Sequence, residues 1–195
     1  MWYEVTRWKA YRSISYEEMR WYVWYLPLLF VAVILVISLL IPSLPGSLEE
    51  GGVISVIQDV TKVLPGFYIA ALAAVSTFSN DTLDEAVPSV KPLELRTLGK
   101  DIPTTVSTRL FLSLLFSYLT VLSFAVLILS TFGIMLKEPL GSINVTDLSD
   151  VSLLAVSLGK YLYIGFVLYL TGSLAATSLQ GIYFLAEKIH RPTDV

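Results

Sequence analysis

The chain has no cysteine and a single histidine, His190, among its 195 residues. The first absence removes disulfides, Cys-ligated zinc, iron–sulfur clusters and thiol catalysis. The second removes a bis-histidine haem or a histidine-rich metal site within one chain. There is no HExxH, GxSxG, P-loop or helix with paired carboxylates. Serine and threonine are plentiful in the apolar stretches, but no general base is available there to activate one. A non-enzymatic protein without cofactor or metal is expected. Charge is scarce too: Asp, Glu, Lys and Arg make up 15% of the chain, with a formal net charge of −3.

What the chain has is apolar length. Hydrophobic residues make up 55% of it and the mean hydropathy is +0.71. They are concentrated in four continuous runs, which leave no segment long enough for an independent soluble core. A transmembrane barrel needs alternating segments of ~10 residues, and these runs are continuous and helix-length. The expected fold is an all-α membrane protein, one domain of four transmembrane helices spanning about 22–41, 53–79, 109–136 and 152–186.

The N-terminal MWYEVTRWKAYRSIS has no apolar core of a signal peptide. Its basic residues alternate with aromatics, which suits the headgroup zone, so Trp2, Trp8, Trp21 and Trp24 are expected to anchor the chain at the membrane interface. A nucleic-acid-binding arm is the alternative, but the basic residues are too few, and no direct nucleic-acid binding is expected. Ser15-Tyr-Glu-Glu18 reads as a capping box, placing the first helix start near Tyr16. Pro27 lies early enough in that helix to be tolerated.

The second run is the least ordinary. Its apolar part, Val63–Phe78, is slightly short for a bilayer-spanning helix of ~20 residues. Extended back to Val53, it carries Ser55, Asp59, Lys62, Gly66, Ala70, Ala73 and Thr77 on one continuous face, charged at one end and small at the other. That face is expected to pack against other helices, with a kink at Pro65–Gly66. If the chain transmits anything across a membrane, this helix is the one expected to move.

Between the second and third runs, a connector over 80–108 holds Asp84, Glu85, Lys91, Glu94, Arg96, Lys100 and Asp101, punctuated by Pro88, Pro92, Gly99 and Pro103. Mixed charge and frequent proline point to an irregular loop, and those charged residues are the candidates for binding a partner. On the third run, Ser113, Ser117, Thr120 and Thr131 share a stripe. It reads as a packing face whose hydroxyls bond the preceding turn, or as a polar conduction path. Asn144-Val-Thr146 is an N-glycosylation sequon, of use only in a eukaryotic host, and the terminal Thr193-Asp-Val195 fits a PDZ-ligand pattern that chance often produces.

Orientation follows from the basic residues. Arg7, Lys9, Arg12, Arg20, Lys91, Arg96, Lys100, Arg109, Lys188 and Arg191 lie in the N-terminal segment, the connector and the tail, whereas the opposite loops and their edges hold only Lys62 and Lys137. Both termini and the connector are expected to be cytoplasmic. Within the spans, Asp59, Lys62 and Lys160 form a candidate intramembrane charge cluster. One expectation pairs Asp59 with Lys160, with Lys62 adjoining Asp59; the other has each charge snorkelling to the outer headgroups.

Three function classes remain: a homo-oligomeric scaffold or sensor that holds a soluble cytoplasmic partner, a small oligomeric pore or ion channel, and a small transporter. No inverted repeat supports the last.

The layout, with GFYIAALAAVSTF (66–78), TRLFLSLLFSYL (108–119) and SLQGIYFLAEKIHRP (178–192), resembles the KwaA family, the membrane subunits of the Kiwa antiphage defence systems of bacteria. The resemblance implies a multi-pass homotetramer in the lipid of the inner membrane. It would respond to phage at the envelope and bind a soluble DNA-binding effector, KwaB, on the cytoplasmic side. No site residues carry over, because none of the three segments is a chemically specific motif.

Overall fold

The structure, a computed structural model, describes residues 11, 24–40, 51–78, 81–85, 93–97, 100–137 and 150–185. Trp2, Trp8, Trp21, the Ser15–Glu18 capping box, Lys91, the Asn144–Thr146 sequon, His190 and the Thr193–Val195 terminus lie outside the described residues. Helices dominate: α1 (Leu26–Leu40), α2 (Val53–Thr61), α3 (Leu64–Thr77), the single turn α4 (Asp81–Asp84), α5 (Thr108–Met135) and α6 (Asp150–Tyr183). One antiparallel hairpin, β1 (Leu93–Thr97) with β2 (Lys100–Thr104), lies between α4 and α5.

Among the described residues, three helical stretches are long and apolar enough to cross a bilayer: Val53–Thr77, Thr108–Met135 and Leu154–Tyr183. The described part of the first run, α1, has 15 residues, or ~22 Å at 1.5 Å per residue. The third run begins and ends within a residue of expectation. Its start is set by Ser107, whose side chain accepts a hydrogen bond from the Leu110 amide at 3.3 Å.

The central helix is α5. It packs against α2, α3 and α6, while α1 packs against α6. In hydrocarbon the lipid tails are as apolar as leucine, so helices associate through close packing and hydrogen bonds rather than through removal of apolar surface from water. Two close approaches show this. A Cβ on Gly172 would stand 3.0 Å from Pro27 Cα and 3.1 Å from Phe30 Cβ, so the missing side chain is what lets α1 lie on α6. A Cβ on Gly133 would meet the Tyr163 ring at 2.8 Å, and the Tyr163 hydroxyl donates to the Leu129 carbonyl across the α5–α6 seam.

The second run is two helices rather than one. Pro65 has no amide to offer the Thr61 carbonyl, and the ladder resumes at Phe67, whose amide reaches the Val63 carbonyl at 3.3 Å. The expected kink is therefore an interruption at Lys62–Val63, one turn before the proline. The buried side of this pair is Ile54, Ile57, Thr61, Pro65, Tyr68 and Val75, spaced three to four residues apart and turned toward α5.

The connector departs from the irregular loop expected of it. Leu93-Glu-Leu-Arg-Thr97 alternates apolar and polar residues, and Thr97 stands opposite Lys100, leaving Leu98 and Gly99 between the strands. Alternation of this kind is a strand signal, and mixed charge masks it. Pro103 is compatible because each strand of a two-stranded ribbon has a free edge.

Gly172→Val should push α1 off α6. The expected result is a loss of about 1–3 kcal/mol of stability and faster maleimide labelling of a cysteine placed at Val31, read in mild detergent against the Gly172 parent.

Candidate functional site: the connector junction

Among the described residues, a dense group of polar contacts lies where the connector leaves and rejoins the helices. Arg109, in the first turn of α5, sends its guanidinium across to the end of α3. Its Nη1 donates to the Val75 carbonyl at 3.0 Å and to the Phe78 carbonyl at 2.8 Å. These are carbonyls that a helix C-terminus leaves without intrahelical partners, and a cation suits the negative end of the dipole. The other edge of the same guanidinium grips Asp84 on α4 with two parallel bonds, Nε to Oδ1 at 2.7 Å and Nη2 to Oδ2 at 3.1 Å. Such a fork-on-fork pair fixes orientation as well as distance. The neighbouring Thr108 amide donates to the Glu85 carbonyl at 3.0 Å. Both roots of the connector are thus tied to each other and to α3.

Apolar contacts back this junction. Leu83 from the first root and Val106 from the second are buried in one cluster with Val75, Phe111 and Leu115. Tyr11 joins the same cluster. Its ring stacks on Tyr118 at 5.1 Å between centroids and lies against Phe111, and its hydroxyl donates to Gln180 Oε1 at 3.2 Å. Burial, with Tyr118 beside it, pushes the Tyr11 phenol above its ordinary pKa, so it stays protonated as a donor. The N-terminal aromatics were expected at the membrane interface; Tyr11, next to them in sequence, instead fills a gap between α5 and α6. Trp24 is exposed, just ahead of α1.

The sequence-derived sites fare unevenly. Asp84 and Glu85 lie at the junction, with the Asp84 carboxylate already engaged by Arg109. Glu94 and Arg96 are on β1, and Lys100 and Asp101 on β2, with Arg96 opposite Asp101 in register. Asp59 pairs with Lys62 at 2.8 Å on an exposed surface. No ion pair joins Asp59 to Lys160; Lys160 is exposed on the first turns of α6, where residues 154–162 all lie outside the packed helices. Gly66, Ala70, Ala73 and Thr77 are exposed and Ser55 is half-buried. Within one chain, the small-residue face therefore turns outward, away from α5, because Ile54, Ile57, Tyr68 and Val75 take the inner side.

On the hydroxyl stripe the two threonines bond the preceding turn. Thr120 donates to the Phe116 carbonyl at 2.7 Å and Thr131 to the Leu127 carbonyl at 2.8 Å. Two further bonds cross between helices. Gln58 Nε2 donates to Thr131 Oγ1 at 2.9 Å. The Ser178 hydroxyl donates to the Leu174 carbonyl at 2.7 Å, which leaves its oxygen to accept from the Tyr68 hydroxyl at 2.6 Å. Sequence reasoning used Arg109 only as a charge for orientation and gave Tyr11 no role beyond the anchor; an arginine at the first turn of a span facing a proline-rich connector was the available signal.

Comparison with known protein families, curated proteins and solved structures gives no match.

Asp84 should impose an acid limit on the junction. Arg109 holds the Asp84 carboxyl below its ordinary value of 3.8. A depressed folded-state pKa contributes stability that is complete above the unfolded value and is lost as pH falls through the folded one. The thermal midpoint should therefore be level from neutral pH to about 4 and drop below it, with that drop reduced in Asp84→Asn. Because the Asp84 side of the pair is largely exposed, the drop should also shrink at high salt. A second expectation concerns the plug: Tyr11→Ala should cost about 3 kcal/mol, and Tyr11→Phe, which keeps the ring and loses one bond, about 1 kcal/mol. Equal losses for the two variants in a thermal series would mean that the ring is not what holds this segment.

Proposed function

We propose that this chain is a non-enzymatic integral membrane subunit, a homo-oligomeric scaffold or sensor whose connector recruits a soluble cytoplasmic partner. The observation that carries the reading is the junction itself. The Arg109–Asp84 fork and the Glu85–Thr108 bond tie the two roots of the connector to the long apolar helices, so a shift of those helices displaces the roots. A surface coupled in this way suits a protein that passes a membrane event to something soluble.

On this reading the first apolar run, 22–41, is a fourth span, and both termini and the connector face the cytoplasm of a bacterial cell, in keeping with the basic residues. The outward face of Gly66, Ala70, Ala73 and Thr77 is assigned to a second copy of the chain, since small residues let backbones approach closely. A role in antiphage defence, with a tetramer and a KwaB-like effector, follows from the resemblance to the KwaA family. The pore reading is weaker within one protomer, because Thr120, Thr131, Thr171 and Thr177 each donate to a carbonyl of the preceding turn.

Two measurements separate the readings. Purification in mild detergent should bring down a soluble protein, and replacing 93–104 by a Gly/Ser linker should abolish its recovery without changing the size of the membrane assembly. Reconstituted liposomes should stay tight to small ions. Ion flux, together with loss of no partner on removal of the hairpin, would establish the pore instead. Leu at Gly66, Ala70 or Ala73 should break the assembly to smaller species in native mass spectrometry.

A further inference from the structure

We propose that Lys62–Val63 is a hinge about which α3 swings, and that Arg109 is the latch that holds it against α5. The two halves of the second run are fastened separately. Ile54 and Ile57 of α2 lie in an apolar cluster with Val126 and Val167, and Gln58 is bonded to Thr131. The α3 half lies with Tyr68 and Val75 in a second apolar cluster with Phe111 and Leu115, and its polar fastenings are Tyr68 to Ser178 and, at its far end, Arg109. Between them the backbone ladder is broken, with Pro65 giving nothing to the Thr61 carbonyl. Among the described residues nothing covers the outer side of α3, where Gly66, Ala70 and Ala73 are exposed.

The latch is built to open. Its Asp84 arm is largely exposed, with 63% of the side chain accessible, so water can replace either partner. The lever is long enough to matter: at ~1.5 Å per residue the arm is about 21 Å, and a swing of about 10° carries its end by roughly 4 Å. That end is where the connector begins. Hinges of this kind need only one or two residues to absorb the change in backbone angle. The device belongs to the chain and does not depend on what the connector binds.

The absence of cysteine makes the test direct. In nanodiscs, spin labels at Thr77→Cys and Leu179→Cys report the far end of α3 against α6, and labels at Val60→Cys and Ile128→Cys report α2 against α5; labelled protein is diluted with unlabelled protein to suppress distances between copies. Asp84→Asn and Arg109→Gln should lengthen and broaden the first distance by several ångströms and leave the second unchanged. Adding Pro65→Ala, which restores the missing donor, should return the first distance toward that of the parent. The proposal is overturned by a first distance that neither latch variant alters. It is overturned equally by the two distances changing together, or by a movement that Pro65→Ala does not reduce.

Discussion

One guanidinium holds the connector end of this protein together. Arg109 binds two carbonyls that the end of α3 cannot satisfy by itself and a carboxylate on α4, and it does so from the first turn of α5. A helix end near hydrocarbon without partners for its carbonyls is costly, because no water is at hand deeper in the bilayer to replace them. An arginine suits the position because its planar fork serves several acceptors at once; a lysine would serve them as a point charge. Remove it, and α3, α4 and the second connector root lose their common reference.

The rest of the packing follows a similar economy of polar groups. Buried hydroxyls at Thr61, Thr177 and Ser130 bond the preceding turn, and a few long side chains, Gln58, Tyr68 and Tyr163, bond between helices. Those few directional bonds, with the close approaches at Gly133 and Gly172, define which helix lies beside which. The apolar remainder is shared between neighbouring helices and lipid with little preference, which is why leucine, valine and phenylalanine are so exposed along α1 and the outer sides of α5 and α6.

Seen this way, the connector is the part of the molecule with something to present. It is short, mixed in charge, folded into a hairpin and tied at both roots to the membrane helices. Tyr11 lies at the same end, among residues of α5 and α6. The tie at the connector's two roots makes this the place where a change in the packing of α3 against α5 would reach it.

Much of this could be read from the chain alone. Helical runs, their limits to within a few residues and the break before Pro65–Gly66 follow from local chemistry, since length, apolar continuity and a missing amide act over a few residues. The Asp59–Lys62 pair follows for the same reason, being one turn apart on a helix. Other features were decided only by the tertiary arrangement. Asp59 and Lys160 are of opposite sign, but helix rotation leaves both outside and unjoined to each other. The small-residue face of α2 and α3 turns away from α5 because Ile54, Ile57, Tyr68 and Val75 give that helix the larger packing surface. Arg109 finds Val75, Phe78 and Asp84, more than twenty residues away in sequence, only once α3 and α5 lie side by side. Hydropathy is a property of segments, whereas the rotation of one helix against another is set by pairs of side chains, and no single segment contains both members of the pair.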